Sequence, residues 1–260
     1  MMWNMDMPKV ALLDGDMIAH RAAFVADDVK AVAGTVRHIV NSWRPPGCTQ
    51  IKIALSCSRG DNIRRDYWPD YKAHRDGIEE DANQIARLEE AKSVMESEFD
   101  VRWVERMEAD DLMGVAASAG KAVAVTLDKD LLSTPGWHYR PEYSYWGGQD
   151  ENGIRMKVTK PAELVRVCQQ DADHMFYKQW LMGDMTDNYP GIKGMGPKKA
   201  DKLLAQTTPE NWEALCWSAY EKAGYDYEYA LAMARCARIL RLSDWKTDRV
   251  YTPVLAQDVG

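Results

Sequence analysis

The sequence lacks the features that mark several common classes of protein. It has no stretch of 18 consecutive apolar residues, so we expect no membrane-spanning helix. Residues 1–9 lack the basic patch and the apolar stretch of a secretory signal. The five cysteines are scattered and form no CxxC pair: Cys48, Cys57, Cys168, Cys216 and Cys236. This usage argues against a disulfide framework or a zinc site and predicts a cytoplasmic protein.

The chain also lacks the net positive charge of many proteins that bind nucleic acids, since its formal charge at pH 7 is -7. A cluster of metal-binding carboxylates would lower the total charge while leaving basic surfaces elsewhere, so this total excludes little. The 260 residues, 46% hydrophobic and 28% charged, have an ordinary globular composition and suffice for one large domain or two small ones.

Short apolar segments predict the strands of a parallel sheet. They span residues 10–13, 51–55 and 122–127, each followed by a polar or acidic turn, with a further short strand at 101–104. Helical patterns separate them at residues 17–42, 78–98 and 109–119. Alternating strands and helices indicate a doubly wound α/β layer, in which ligands bind at the carboxyl ends of the strands.

The pattern changes in the second half of the chain. Residues 143–146 and 154–158 alternate around glycine-containing turns, which predicts a hairpin. Helices are predicted at residues 162–170, 172–182, 197–205, 210–223 and 228–240. We therefore expect an α/β domain at residues 1–158 and an α-helical region at residues 159–260.

Acidic residues collect at the predicted strand ends and helix starts: Asp14, Glu108, Asp110, Asp111, Asp128, Asp130, Asp184 and Asp187. Each of them alone also suits a turn or the first turn of a helix, where a carboxylate is favoured by about 0.3–1 kcal/mol. Converging carboxylates, however, repel one another unless cations neutralise them. Magnesium prefers such oxygen ligands, and two ions about 3.5–4 Å apart stabilise both oxygens of a phosphodiester displacement. The histidines form no competing motif, so a metal-dependent hydrolase is predicted.

Residues 183–202 combine glycines and lysines in a pattern typical of a phosphate-binding loop. Gly191, Gly194 and Gly196 allow the backbone to approach a phosphate, and Pro197 suits the first turn of a helix with free N–H groups. Positive charge is added by Lys193, Lys198, Lys199 and Lys202. The pattern predicts a grip on the DNA backbone that is independent of sequence, the alternative being a helix–loop–helix with a solvated lysine face.

A second basic and aromatic segment spans residues 59–75 and contains Arg64, Arg65, Tyr67, Trp68, Tyr71, Lys72 and Arg75. Aromatic rings stack on bases and neighbouring cations neutralise phosphates, so this segment suits the end of a nucleic-acid strand. Taken by itself it also suits a surface loop.

In these segments the sequence resembles the phage and bacterial 5′-nuclease family, which includes flap endonucleases and the 5′-nuclease domain of DNA polymerase I. It is particularly similar to the 5′→3′ exonucleases of podovirus-type phages. The resemblance runs in order over nearly the whole chain, through residues 13–16, 71–75, 108–111, 128–130, 183–188, 191–199 and 233–241.

The resemblance implies a PIN-like α/β fold with a helical arch at about residues 61–92, followed by a helix–three-turn–helix region. It implies two Mg²⁺ or Mn²⁺ sites, one from residues like Asp14, Glu108, Asp110 and Asp128, the other from residues like Asp130, Asp184 and Asp187, with Asp111 behind them. Lys72 would contact the scissile phosphate, with Arg64 and Arg21 adding positive charge, and Tyr71 and Arg75 would bind DNA at the base of the arch. The glycine loop would hold a K⁺ ion.

The implied activity is exonuclease or flap-endonuclease cleavage of DNA by two metal ions, in replication, primer removal or genome degradation. Expected substrates are DNA with free 5′ ends, nicks or 5′ flaps, with RNA–DNA hybrids as further candidates. We expect a monomer without membrane association, located in the cytoplasm of the infected host if a phage encodes it.

One position departs from the family pattern. Relatives usually place a metal-site aspartate after the second strand, where this chain has Cys57, and a neutral thiol is a poor magnesium ligand. Asp61, a water molecule or Asp16 would supply the missing ligand, and we expect Asp61. Two alternatives therefore stay open: a DNA-structure-binding relative with weakened catalysis, and a PIN-type ribonuclease, which would have no use for residues 191–202.

Overall fold

The computed structural model describes residues 6–77, 81–149, 155–246 and 249–252. Its strands are β1 (Val10–Asp14), β2 (Gln50–Ala54), β3 (Val101–Arg102), β4 (Val123–Val125), β5 (Gly136–Arg140), β6 (Tyr143–Gln149), β7 (Arg155–Lys160) and β8 (Glu163–Val167). Its helices are α1 (Gly15–Val25), α2 (Val29–Ser42), α3 (Arg64–Tyr67), α4 (Ala82–Glu98), α5 (Ala109–Ser118), α6 (Gln169–Met182), α7 (Pro197–Leu204), α8 (Trp212–Lys222), α9 (Tyr227–Ala237) and α10 (Leu242–Lys246). None of the helices in these ranges is long and apolar enough to span a membrane.

The central sheet has the strand order β3-β2-β1-β4-β5-β8, parallel except for the edge strand β8. Side chains of β1 alternate between two cores: Ala11 and Leu13 pack with α1, α2 and α4, whereas Leu12 packs with α5. Helices therefore cover both faces, and the carboxyl ends of β1, β2 and β4 meet at one edge. This confirms the predicted α/β class and places Asp14 at that edge.

The predicted elements differ from the observed ones in three places. The helix predicted over residues 17–42 is two helices, because Asp28 starts α2 by accepting the N–H of Ala31 at 2.9 Å. The helix predicted at residues 162–170 is wrong, since β8 pairs there with β5, a strand that the sequence pattern did not predict. The expected domain boundary at 158/159 falls within β7, before the last strand of the sheet. Residues 78–80 of the expected arch and 152–154 of the hairpin lie outside the described ranges.

The second half packs its helices around large aromatic side chains, several of which hydrogen-bond to backbone carbonyls. Trp180 is fully buried and donates its indole N–H to the carbonyl of Ala230 at 2.8 Å. The hydroxyl of Tyr220 donates to the carbonyl of Trp180, and the indole of Trp212 donates to that of Leu204. Because Tyr71 belongs to the same core, the segment before α4 is anchored to this helical half.

The chain leaves α6 through a tight loop that depends on two glycines in contact. Gly183 and Gly191 have φ angles of 69° and 61°. A Cβ atom at Gly191 would lie 2.3 Å from the nitrogen of Gly183. Between them the backbones of Asp184 and Tyr189 exchange two hydrogen bonds of 2.8 and 3.0 Å. The loop thus holds its acidic residues in a fixed place beside the sheet edge.

We predict that Gly191→Ala destabilises the protein by about 2–4 kcal/mol, since it combines left-handed strain with an overpacked contact. Gly194 is the matched control, because its φ is 78° but a Cβ there would meet nothing within 4 Å. Gly194→Ala should cost only about 1 kcal/mol. Urea unfolding followed by circular dichroism measures both. Equal losses for the two variants would contradict the contact between Gly183 and Gly191.

Candidate active site

Two neighbouring cavities open at the carboxyl edge of the sheet. The first has a volume of about 390 Å³ and contains six of the predicted metal-site acids: Glu108, Asp110, Asp128, Asp130, Asp184 and Asp187. The second has a volume of about 490 Å³ and contains Asp14 and Asp16. The wall that both cavities share is formed by Tyr71, Lys72, Arg75, Glu108 and Asp110.

The strand ends position Asp14 and Asp128 through one threonine. Asp14 ends β1 and caps α1, where its Oδ1 accepts the N–H of Met17 at 3.0 Å. The hydroxyl of Thr126 donates to Oδ2 of Asp14 at 2.8 Å and accepts the N–H of Asp128 at 3.0 Å. Oδ1 of Asp128 in turn accepts the N–H of Asp130 at 2.8 Å. The structural role of each acid as a cap or turn thus coexists with its place at the cavity.

Four of these acids, Asp14, Asp110, Asp128 and Asp130, form a group that we call the unpaired carboxylates. No cation of the described residues lies within ion-pair distance of them. Burial raises the pKa of Asp14 to about 6, and the charges of Asp16 and Asp128 add to this. Burial and the charges of Asp14 and Asp128 raise the pKa of Asp110 well above its usual value. Burial and Asp128 raise the pKa of Asp130 to about 6. A bound cation would relieve this cost.

Glu108 and Asp187, in contrast, are neutralised by the protein itself and form the paired carboxylates. Nζ of Lys72 lies 2.5 Å from Oε1 of Glu108 and 3.4 Å from Oδ2 of Asp187. The hydroxyl of Tyr71 lies 3.0 Å from an oxygen of each carboxylate, and Arg75 contacts Asp187 at 2.9 Å. Burial alone would raise the pKa of Glu108, but Arg64 and Lys72 outweigh it and lower this pKa to about 2.

The site also depends on a buried arginine that uses most of its donors within the protein. Four N–H groups of Arg64 donate hydrogen bonds to both oxygens of Asp111, each at 2.8 Å, and to the carbonyls of Cys236 and Arg238, and Nη1 also lies 3.0 Å from Oε2 of Glu108. The side chain is 4% exposed. Arg64, which we predicted to add positive charge at the phosphate, lines the first cavity and contacts Glu108 and Asp111 there.

Three other predicted residues are mostly enclosed by the protein. Asp111 is fully buried, and its oxygens accept from Arg64 and from the N–H groups of Leu240 and Glu108, so it lies behind the acids that line the cavities. Tyr71 is 2% exposed and cannot stack on a base. Gly191 is buried against Gly183 and is needed for packing instead of phosphate approach.

The remaining predicted residues divide between the cavities and the surface. Arg75 lines both cavities, whereas Arg21 lines neither of them. Asp61 also lies outside both and faces an adjoining cavity that contains Trp103. Six predicted DNA-binding residues of the glycine–lysine loop lie outside both cavities. Gly196 is partly exposed, and the other five are exposed: Lys193, Gly194, Lys198, Lys199 and Lys202.

At the position after β2 the structure favours Asp16 over the expected Asp61. Asp16 lines the second cavity with Cys57, and its Oδ2 accepts the N–H of Ser56 at 3.0 Å. Burial and the charge of Glu108 raise the pKa of the Cys57 thiol to about 11, so it is neutral at neutral pH. The sequence pattern missed the role of Thr126, although its place just before Asp128 was a usable signal.

The donor chemistry of the cavities fits divalent cations. The available ligands are carboxylate oxygens, which Mg²⁺ and Mn²⁺ prefer, and the unpaired carboxylates lack counter-charges. Among the described residues, no three His, Cys, Asp or Glu side chains are grouped closely enough to enclose an ion. Magnesium keeps several waters and needs few direct carboxylates, so such an open arrangement is compatible with it.

Comparison with known proteins gives a consistent family. Residues 9–137 match the family of the 5′-3′ exonuclease N-terminal resolvase-like domain. DNA polymerase I of Caldicellulosiruptor bescii is 24% identical over 290 residues, which cover 94% of this chain and 32% of that protein. DNA polymerase I of Mycobacterium tuberculosis is 29% identical over 215 residues, which cover 76% of this chain and 23% of that protein. The chain thus spans about a quarter to a third of these relatives.

Two solved structures share the fold. The bacteriophage T5 5′-exonuclease with bound zinc has a TM-score of 0.56 at 13% identity, covering 92% of this chain and 97% of that chain. The T5 flap endonuclease in complex with DNA and metal ions has a TM-score of 0.55 at 13% identity, with the same coverage. The architecture is therefore the PIN-like fold with a helical domain.

The raised pKa of Asp130 predicts a specific pH dependence of stability. This pKa is about 6 in the folded protein against an ordinary value of 3.8, so the stabilising contribution of Asp130 is present at low pH and is lost as pH rises through 6. Lowering the pH from 7.5 to 5.5 in EDTA should therefore stabilise the wild type by about 1 kcal/mol relative to Asp130→Asn. Urea unfolding of both proteins at each pH measures this difference.

The comparison with Asp130→Asn is needed because His138 acts in the opposite direction. Burial lowers its pKa to about 4, so its neutral buried form loses stability as the pH falls below its usual 6.5. This contribution is shared by both proteins and cancels. An identical pH dependence in wild type and variant would show that the pKa of the Asp130 carboxyl is not raised.

Proposed function

We propose that the chain hydrolyses DNA phosphodiesters at free 5′ ends, nicks or 5′ flaps with the help of two divalent cations, since residues 9–137 match the 5′-3′ exonuclease N-terminal domain family. The observation that carries this proposal is the group of unpaired carboxylates beside two cationic side chains on the cavity wall. Such an arrangement can accept metal ions and a phosphate at the same place. Asp14 is buried and the other three are half-buried at the cavities, so a bound cation would offset the repulsion between them.

The unpaired carboxylates Asp14, Asp110, Asp128 and Asp130 are proposed to hold most of the metal charge, with Glu108, Asp184 and Asp187 completing the set. Bound divalent cations would activate water and stabilise charge on the phosphate oxygens. Lys72 and Arg75 face the cavities and are proposed to hold and orient the phosphate.

DNA away from the cleavage site is proposed to lie along the surface at the N-terminus of α7. There Gly196 is the N-cap, Pro197 occupies the first turn, and no side chain caps the helix. The N–H groups of Lys199 and Ala200 donate to the carbonyl of Gly196, so in this turn the N–H of Lys198 is proposed to meet a phosphate. The four exposed lysines of this loop would neutralise the backbone without reading the sequence. A K⁺ ion bound by the carbonyls of this loop, and a monomeric state, are part of the same proposal.

The second candidate function is a DNA-structure-binding relative with weakened catalysis, favoured by the neutral Cys57 thiol at a position where the family expects an aspartate. Product sizing on matched blunt, nicked and 5′-flap duplexes, each with Mg²⁺ and with Mn²⁺, separates the two functions. Binding without cleavage under either ion would support the second candidate. Cleavage restricted to RNA would instead favour a ribonuclease. A role in phage replication, primer removal or genome degradation follows only from the nuclease outcome.

We predict that Asp110→Asn lowers Mg²⁺-dependent cleavage of a 5′-labelled flap duplex by roughly 10³-fold or more, the scale of losing an essential catalytic group. Asp110 is the acid that both cavities share among the unpaired carboxylates. Glu98→Gln is the control, because Glu98 pairs only with Arg37 at the surface among the described contacts. Near-normal cleavage by Asp110→Asn would exclude the proposed metal-dependent mechanism.

We also predict that Cys57→Asp lowers the Mg²⁺ concentration needed for half-maximal cleavage, because it adds an oxygen ligand to the second cavity. Cys57→Ser keeps the size of the side chain without adding a charge and should leave this concentration unchanged. A magnesium titration of the cleavage rate compares the three proteins. No difference between them would indicate that Asp16 already supplies the charge.

A further inference from the structure

Lys72 lies on the wall between the two cavities and touches carboxylates from both halves of the chain. Its ammonium contacts Glu108, at the start of α5, and Asp187, in the loop after α6. Its backbone N–H donates to the carbonyl of Asp187 at 2.8 Å, and its φ is 55°. The backbone of Lys72 is therefore fixed, while its side chain reaches into space that is open to solvent.

The contacts of Lys72 differ in kind from those of Arg64. The guanidinium of Arg64 is 4% exposed and makes four hydrogen bonds inside the protein, so it cannot leave without a large loss of stability. The ammonium of Lys72 is a point charge on a flexible stem, and its side chain is 18% exposed. Two cations contact Glu108. Arg64 is held in place by the fold, whereas the ammonium of Lys72 is free to exchange its partner.

A divalent cation that uses Glu108 or Asp187 must take the place of an existing positive charge. The unpaired carboxylates, by comparison, have no cation at ion-pair distance among the described residues, although the charge of Lys72 also acts on Asp110 from farther away. Two divalent cations entering these cavities would therefore bind in different ways: one to carboxylates that are short of positive charge, the other in competition with an ammonium group.

We propose that Lys72 is an exchangeable counter-ion. It neutralises Glu108 and Asp187 in the absence of metal, yields them to a divalent cation, and is thereby released toward the phosphate of the substrate. The inference rests on the proposed function, since it takes a divalent cation and a phosphodiester as the ligands of this site. It adds a coupling: metal binding at the paired carboxylates supplies the free cation that the phosphate needs.

Calorimetric titration with Mn²⁺ in the absence of DNA tests the competition. Lys72→Met removes the competing charge and should tighten the weaker Mn²⁺ step about tenfold, the effect of removing an opposite charge in contact with a carboxylate. Lys129→Met is the matched control, because Lys129 lines the first cavity and is exposed. Loss of this screened charge should change the affinity by about threefold or less.

Equal effects of the two substitutions, or weaker Mn²⁺ binding by Lys72→Met, would overturn the proposal. Lys72→Gln provides a second neutral variant should Lys72→Met fold poorly, which circular dichroism reveals. If the wild type binds no Mn²⁺ at all, the proposed function itself fails. If it binds Mn²⁺ and cuts DNA while Lys72→Met gains no affinity, only the exchange is wrong.

The release of Lys72 is observable in the wild-type protein. Acetylation by acetic anhydride, followed by mass spectrometry of peptides, reports how accessible each lysine ammonium is. Adding Mg²⁺ without DNA should increase the acetylation rate of Lys72 severalfold and leave that of Lys129 unchanged. An unchanged or lower rate at Lys72 would show that the ammonium stays on the carboxylates when metal binds.

Discussion

The buried guanidinium of Arg64 fixes the geometry on which the rest of the site depends. A charge this deep in a protein is costly unless it is paired and hydrogen-bonded. Arg64 meets this requirement by contacting Asp111 and Glu108 in the α/β half and the carbonyls of Cys236 and Arg238 at the end of α9. The helical half thus supplies two of the acceptors that this arginine of the α/β half requires. Together with the contacts of Tyr71 and Lys72 to Asp187, this side chain joins the sheet edge to the helical half.

Once the halves are fixed, the acids of the site fall into two electrostatic classes. Glu108 and Asp187, one from each half, face each other across Tyr71 and Lys72 and are neutralised within the protein. The unpaired carboxylates are instead crowded together without a cation at ion-pair distance among the described residues, and burial raises the pKa of Asp14, Asp110 and Asp130. The paired carboxylates therefore stabilise the contact between the two halves. The repulsion between carboxylates remains at the unpaired group, where a bound cation would relieve it.

The sequence was sufficient to predict the acids at the sheet edge, because they follow directly from local patterns. Parallel strands bring their carboxyl ends together at one edge of the sheet. An acidic residue at the end of a buried apolar strand is therefore expected at that edge, as Asp14 and Asp128 are. The role of Arg64 could not be predicted in this way. Its acceptors lie up to 174 residues away, and no local pattern records such a contact. Likewise β8 forms because β5 offers it a partner, not because residues 162–170 favour a strand.

The same distinction between local and distant contacts applies to the basic segment before α4. Its positive charge could be predicted from the sequence, but its pairing with distant acids could not. Residues 71–75 were expected to meet DNA directly, yet Tyr71 is buried and the cations of Lys72 and Arg75 are already paired with acids of the protein. A phosphate approaching this wall has to exchange partners with a carboxylate before it gains a cation. The net charge of -7 therefore does not oppose DNA binding uniformly. Its effect at the site depends on which carboxylates carry a counter-ion at that moment, and a divalent cation changes that balance.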